Sequence, residues 1–96
     1  MYGTVARLRI KPGMEERFQQ FGRDTAGAIP GLVFQHVYRT DADPQEVYLA
    51  VGFESREAYQ ANATSSEQQG RYEEYRALLE AEPEWHDGEI VFSSPA

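Results

Sequence analysis

Residues 2–10 alternate between two sides. Tyr2, Thr4, Ala6, Leu8 and Ile10 share one face, and Val5, Arg7 and Arg9 the other, the period-two pattern of a strand. Lys11-Pro12-Gly13 ends it, since proline and glycine interrupt strand pairing. From Met14 to about Gly27 the period becomes helical. Met14, Phe18, Phe21 and Thr25 form the inward stripe, and Glu15 and Glu16 lie in the first turn, where the helix dipole favours acids. Gly22 inside this helix costs about 1 kcal/mol against alanine and marks a place where the helix approaches the sheet. Ile29-Pro30-Gly31 reads as a turn.

Leu32 to Arg39 reads as a second strand. Leu32, Phe34, His36 and Tyr38 fall on one face, assigned to the helices, and Val33, Gln35, Val37 and Arg39 on the other. A polar hairpin loop over 40–45 leads to a third strand, 46–53, with Val47, Leu49, Val51 and Phe53 on one side. Ser55 is placed to cap a short helix through about Ala63. After a break at Thr64-Ser65-Ser66, Ser66 with Gln69 fits a capping box opening a last helix to about Ala81. Its inner stripe is Tyr72, Tyr75 and Leu79, with Leu78 beside them, and Pro83 is a stop signal. Trp85-His86-Asp87-Gly88 reads as a turn, and Glu89 to Ser93 as a short final strand.

The order is β-α-β-β-α-β with a split second helix. It predicts an α+β, ferredoxin-like fold: a four-stranded antiparallel sheet with helices on one face. Residues 1–96 are expected to form a single domain. The face away from the helices is expected to carry Val5, Val33, Val37, Tyr48, Ile90 and Phe92, which is too apolar for open water. A second copy laid sheet against sheet covers it, so a homodimer is the expected partner.

Composition narrows the chemistry. Net charge is −7, and eight acids face three arginines between Glu54 and Glu84. A phosphate backbone or an acidic membrane repels such a surface, and no basic run is present, so neither nucleic acid nor membrane is expected. The chain has no cysteine, which removes disulfides, thiolate nucleophiles and Cys-ligated metals. No apolar run approaches 18 residues and no leader pattern stands at the start, so the expectation is a soluble, cytoplasmic protein. Two histidines fifty residues apart give no metal-ligand spacing, and the glycines form no phosphate-binding fingerprint.

Several stretches together resemble a known family. They are Tyr2 to Gly13, the Pro30-Gly31-Leu32 turn, the Phe53-Glu54-Ser55 junction with Ala58-Tyr59 after it, and Trp85-His86-Asp87-Gly88-Glu89. Over almost its whole length the chain resembles the antibiotic-biosynthesis-monooxygenase-type members of the dimeric α+β barrel superfamily. The resemblance implies a dimer with a reactive cleft between helices and sheet. Haem-degrading members place an Asn, a Trp and a His where this chain has Ala6, Asn62 and Tyr72, so the resemblance does not carry haem degradation over. Cofactor-free members surround an acidic phenol with Asn, Trp, Tyr and Arg side chains. An activated phenolate can pass an electron to dioxygen without metal or flavin if its anion is stabilised in a dry site.

The catalytic candidates are therefore Asn62, Tyr72 and His36. Asn62 offers an amide donor and Tyr72 a phenolic hydroxyl. His36 offers a base that titrates near neutral pH. Tyr59, Phe34 and Phe18 are the candidate substrate-binding residues. No cofactor and no metal is expected. Each candidate also has a plainer structural reading as core or rim. Three functions follow: a small cofactor-independent oxygenase acting on an aromatic or quinol-type substrate, a non-catalytic ligand-binding module using the same cleft, or an accessory dimer whose aromatics fill that space.

Overall fold

A computed structural model describes residues 1–95. Its elements are β1 (Tyr2–Arg9), α1 (Glu15–Ala26), β2 (Leu32–Arg39), β3 (Glu46–Phe53), α2 (Arg56–Ala63), α3 (Ser66–Ala77) and β4 (Glu84–Glu89). The strands form one antiparallel sheet in the order β2-β3-β1-β4. The fold is the expected ferredoxin-like α+β arrangement. Its core lies between sheet and helices: Ala6, Leu8, Val47 and Leu49 from the strands meet Phe18 from α1, with Leu78 and Leu79 closing one end.

Local signals explain most boundaries. Ser55 caps α2, its side chain accepting from the Ala58 N–H at 3.0 Å. The cap of α3 is Ser65, one residue before the expected Ser66, and its hydroxyl accepts from the Gln68 N–H at 3.1 Å. The same Ser-x-x-Gln spacing fits both registers. Only the earlier one leaves Ser65 extended, at φ −73° and ψ 149°, as a cap requires.

Helix α3 ends at Ala77, not near Ala81. Beyond it the chain pairs with the end of β1. Lys11 N–H donates to Leu78 O at 2.9 Å and Glu80 N–H to Arg9 O at 2.8 Å. This extension buries Leu78 and Leu79 (7 % and 0 % exposed), which a continued helix would not achieve for two adjacent residues.

The last strand also differs from expectation. Trp85-His86-Asp87-Gly88 is strand rather than turn, paired with Ala6, Val5, Thr4 and Gly3 in that order. Asp-Gly is a turn signal in isolation, but the alternation of Trp85 and Asp87 with His86 matches the pleat of β1. Ile90 closes the edge by donating to Met1 O at 2.9 Å. Val91 and Phe92 lie beyond the strand and are exposed.

One irregularity redirects a whole strand. Between Leu32 and Phe34 the β2–β3 register shifts, with Leu32 opposite Phe53 and Phe34 opposite Gly52. An inserted residue reverses which face the following side chains occupy. Gln35 and Val37 therefore stand opposite Val51 and Leu49, on the helix side. Phe34, His36 and Tyr38 stand opposite Gly52, Ala50 and Tyr48, on the outer side. The small residues of β3 make room there: a Cβ on Gly52 would fall inside the Phe34 ring. The expected outer face is corrected accordingly. Val37 leaves it, Ile90 and Phe92 lie outside the strand, and Phe34, His36 and Tyr38 join Val5 and Tyr48 on it.

Candidate functional site

A cavity of about 420 Å³ opens between the helices and the sheet. Strands β1, β3 and β4 give it a floor of Thr4, Leu49, Val51, Phe53, Trp85 and Asp87. Its roof comes from Phe18, Phe21 and Gly22 of α1, Tyr59 and Asn62 of α2, and Arg71, Tyr72 and Tyr75 of α3. The aromatics line this space and do not fill it. A volume of this size suits a small multi-ring ligand.

Asn62 stands at the end of α2, where α3 turns back beside it. The Arg71 guanidinium donates through Nη2 to Asn62 Oδ1 at 3.1 Å and through Nε to Gln68 Oε1 at 3.1 Å. The amide is thus oriented by its neighbour: its oxygen is taken by a cation, which leaves Nδ2 as the donor end.

Tyr59 bridges α2 and β4. Its hydroxyl donates to Asp87 Oδ1 at 2.8 Å, and its ring packs on Tyr2 and Phe53 at centroid distances of 5.3 and 5.4 Å. Burial pushes the Tyr59 hydroxyl well above its ordinary range, and the Asp87 charge adds to this. Thr4 sits close enough to favour the Tyr59 phenolate slightly, yet its own hydroxyl is buried and makes no hydrogen bond of good geometry. Tyr75 is similar. It is wedged between Phe18 and Phe21, at 5.4 and 6.2 Å, its hydroxyl has no partner, and burial raises its pKa. Two buried, unpaired hydroxyls, one from the floor and one from the roof of the cavity, are the kind of group a polar ligand satisfies.

Tyr72 lies at the rim. Its hydroxyl donates to Glu82 Oε2 at 2.8 Å, and Arg76 Nε donates to Glu82 Oε1 at 3.1 Å. These two donors hold the Glu82 carboxyl below the usual carboxylate range. Burial first, and the Glu82 contact next, raise the Tyr72 hydroxyl.

The cavity thus brings together Asn62, Tyr72, Tyr59 and Phe18. His36 and Phe34 are not among them. They face the opposite side of the sheet, stacked on each other at 5.2 Å, because the bulge in β2 turned the strand over. Sequence reading missed Asp87, Arg71, Thr4 and Trp85. Treating Trp85 and Asp87 as alternating strand residues would have found both. Among the described residues, no three His, Asp or Glu side chains gather as a metal-ligand cluster, and no helix is long and apolar enough to cross a membrane.

The fold and its helix-roofed cavity define a class, the small ferredoxin-like α+β proteins that enclose a pocket between helices and sheet. Within that class, this chain belongs to the antibiotic biosynthesis monooxygenase family, whose model matches residues 1–81. Among solved structures it is similar to SnoaB, a cofactor-independent oxygenase from Streptomyces nogalater, in an asparagine-to-alanine variant: TM-score 0.82, 16 % identity, covering 99 % of this chain and 97 % of that one. It is similar also to a candidate antibiotic biosynthesis monooxygenase from Bordetella bronchiseptica (TM-score 0.80, 18 % identity, 95 % and 97 % covered). A third, from Chloroflexus aurantiacus, gives a TM-score of 0.78 at 22 % identity, with 96 % and 94 % covered. No curated protein sequence matches the chain.

Proposed function

We propose that this protein is a cofactor-independent monooxygenase that oxidises a small polycyclic phenol or quinol in the helix–sheet cavity. The observation that carries the reading is the Arg71-oriented Asn62 amide sharing one apolar chamber with the Tyr59–Asp87 pair. In this reading the substrate's phenolic oxygen accepts from Asn62 Nδ2. Its proton passes to the Tyr59 oxygen as Tyr59 hands its own to Asp87. Arg71 polarises the amide and so favours the resulting phenolate. An electron moves from the phenolate to dioxygen, and superoxide and phenoxyl radical combine at a ring carbon. The peroxide anion so formed takes back the proton held at Asp87, relayed through Tyr59, and the resulting hydroperoxide loses water. One oxygen atom enters the ring as a quinone carbonyl and the other leaves as water, with C–H and O–H of the phenol consumed.

Oxygen uptake with a panel of polycyclic phenols, followed alongside quinone absorbance, tests this directly. Wild type is expected to turn over at least one of them, and Asn62→Ala to lower kcat about 10²-fold with its melting temperature unchanged. Saturable binding without oxygen uptake would instead favour the ligand-binding reading, which draws on one feature: Asp87, the acid in the cavity, is already engaged by Tyr59.

The working unit in this proposal is a homodimer. The outer sheet face supports it, with Val5, Tyr38 and Tyr48 exposed beside Phe34 and His36.

A further inference from the structure

The cavity wall carries a positive charge that the described residues leave unneutralised. Arg71 and Asp87 are the two charged residues lining the chamber. Asp87 stands on β4 and holds the Tyr59 hydroxyl. Arg71 stands on α3 beside the end of α2, and no carboxylate of the described residues comes within ion-pair reach of it. The other arginines differ. Arg7, Arg9 and Arg76 each pair with a carboxylate. Arg17, Arg23, Arg39 and Arg56 have none but are exposed, so water solvates their charge. Arg71 is both half-buried and unpaired, and a cation partly withdrawn from water costs free energy unless an anion compensates it.

Its protein partners are neutral. Nη2 donates to Asn62 Oδ1 and Nε to Gln68 Oε1, each at 3.1 Å. A guanidinium has five N–H donors in a planar fork. The two amides therefore fix the fork's orientation without cancelling its charge, and they leave both Nη1 donors free. A carboxylate matches such a fork in geometry and in sign. The net charge of −7 does not oppose an anion here, because exposed charges beyond about 8 Å are largely screened at physiological salt, whereas contact with Arg71 inside the chamber is not.

We infer, on the ring-binding reading above, that the substrate is a phenolic acid: its phenol-bearing ring also carries a carboxylate, which Arg71 binds through the donors that Asn62 and Gln68 leave free. Asn62 and Arg71 are joined by a direct hydrogen bond, so the groups they receive lie near each other on one ring. Arg71 is then a specificity-determining residue, selecting acids over neutral phenols of the same size.

Three probes on one ring skeleton test it: 1-naphthol, 4-hydroxy-2-naphthoate and 4-hydroxy-2-naphthamide. At pH 7 the acid is ionised and the amide is its neutral counterpart of the same shape. Binding to the full chain is read by calorimetry. Wild type is expected to hold the acid about tenfold more tightly than the amide, with the preference shrinking as salt is raised. Arg71→Gln is expected to lose the preference, whatever it does to 1-naphthol. Arg71→Lys, which keeps the charge without the fork, is expected to retain part of it. In wild type the acid, and not the amide, is expected to shift the Arg71 Nε–H resonance, which locates the carboxylate without recourse to a variant. Equal wild-type affinities for acid and amide, a preference that survives Arg71→Gln, or an Arg71 resonance that the acid leaves unmoved overturns the assignment, and 1-naphthol binding then leaves the ring site standing. If none of the three probes binds wild type, the ring-binding reading falls and the phenolic acid with it.

Discussion

At the residue scale, the site depends on groups that the sequence pattern shows unevenly. Phe18 and Tyr72 were legible because helical spacing puts them on inward stripes, and Asn62 and Tyr59 because the family resemblance places the second helix over the cleft. Asp87 was not, because Asp-Gly reads as a turn until β4 is known to pair with β1. His36 was misplaced by an alternation that a single inserted residue reverses. Tyr75 yields a sharp test. Its hydroxyl is buried without a partner, so Tyr75→Phe removes a desolvated group at no packing cost and is expected to be neutral or to stabilise by about 1 kcal/mol at pH 7. Chemical denaturation checks this, and a loss of stability would mean the hydroxyl has a partner. The pH dependence has a definite sign. Burial raises the folded-state pKa of Tyr75, as it does that of Tyr59, above the ordinary value of 10.0. The stability tied to the protonated hydroxyls is therefore complete below pH 10.0. It is lost as pH rises through the folded values. Tyr75→Phe is expected to flatten that alkaline decline, which denaturant melts between neutral and strongly alkaline pH would reveal.

At the scale of elements, the first three strands and the helices follow from period and punctuation, whereas the last strand, expected at 89–93, forms at Glu84–Glu89. The departures arise where tertiary pairing competes with local preference. Leu78 and Leu79 leave the helix to pair beside β1, and the β2 bulge serves the fit of the Phe34 ring over Gly52. The capping assignment is testable by contrast. Ser65→Ala is expected to cost about 1 kcal/mol, and Ser66→Ala, with no cap bond to lose, close to nothing. Equal effects in thermal melts would contradict the structure. A close approach between β1 and β3 makes a second prediction. A Cβ on Gly3 would overlap the Val51 carbonyl oxygen, so Gly3→Ala is expected to force the two strands apart and to destabilise by about 1–3 kcal/mol.

At the scale of the whole molecule, the sheet has two faces with different tasks. One carries the helices and encloses the cavity. The other exposes Val5 and Tyr38, 50 % and 64 % accessible, among Phe34, His36 and Tyr48. In the proposed dimer that face is shared, and sedimentation is expected to give twice the chain mass of 10.9 kDa. Tyr38→Asp, which sets a charge in the middle of the patch, is expected to return the protein to monomers without loss of fold. The His36–Phe34 stack then belongs to the assembly and not to the chemistry, a division the strand pattern concealed.

The central claim is that the space between helices and sheet is an open ligand site rather than an aromatic core, and a two-dimensional amide NMR titration with 2-naphthol tests it most directly. Saturable shifts are expected at the Asn62 and Gln35 side-chain amides and the Trp85 indole N–H, together with the backbone amides of Tyr59 and Arg71. Shifts confined to the outer face around His36 and Tyr38, or no saturable shift at all, would contradict the account.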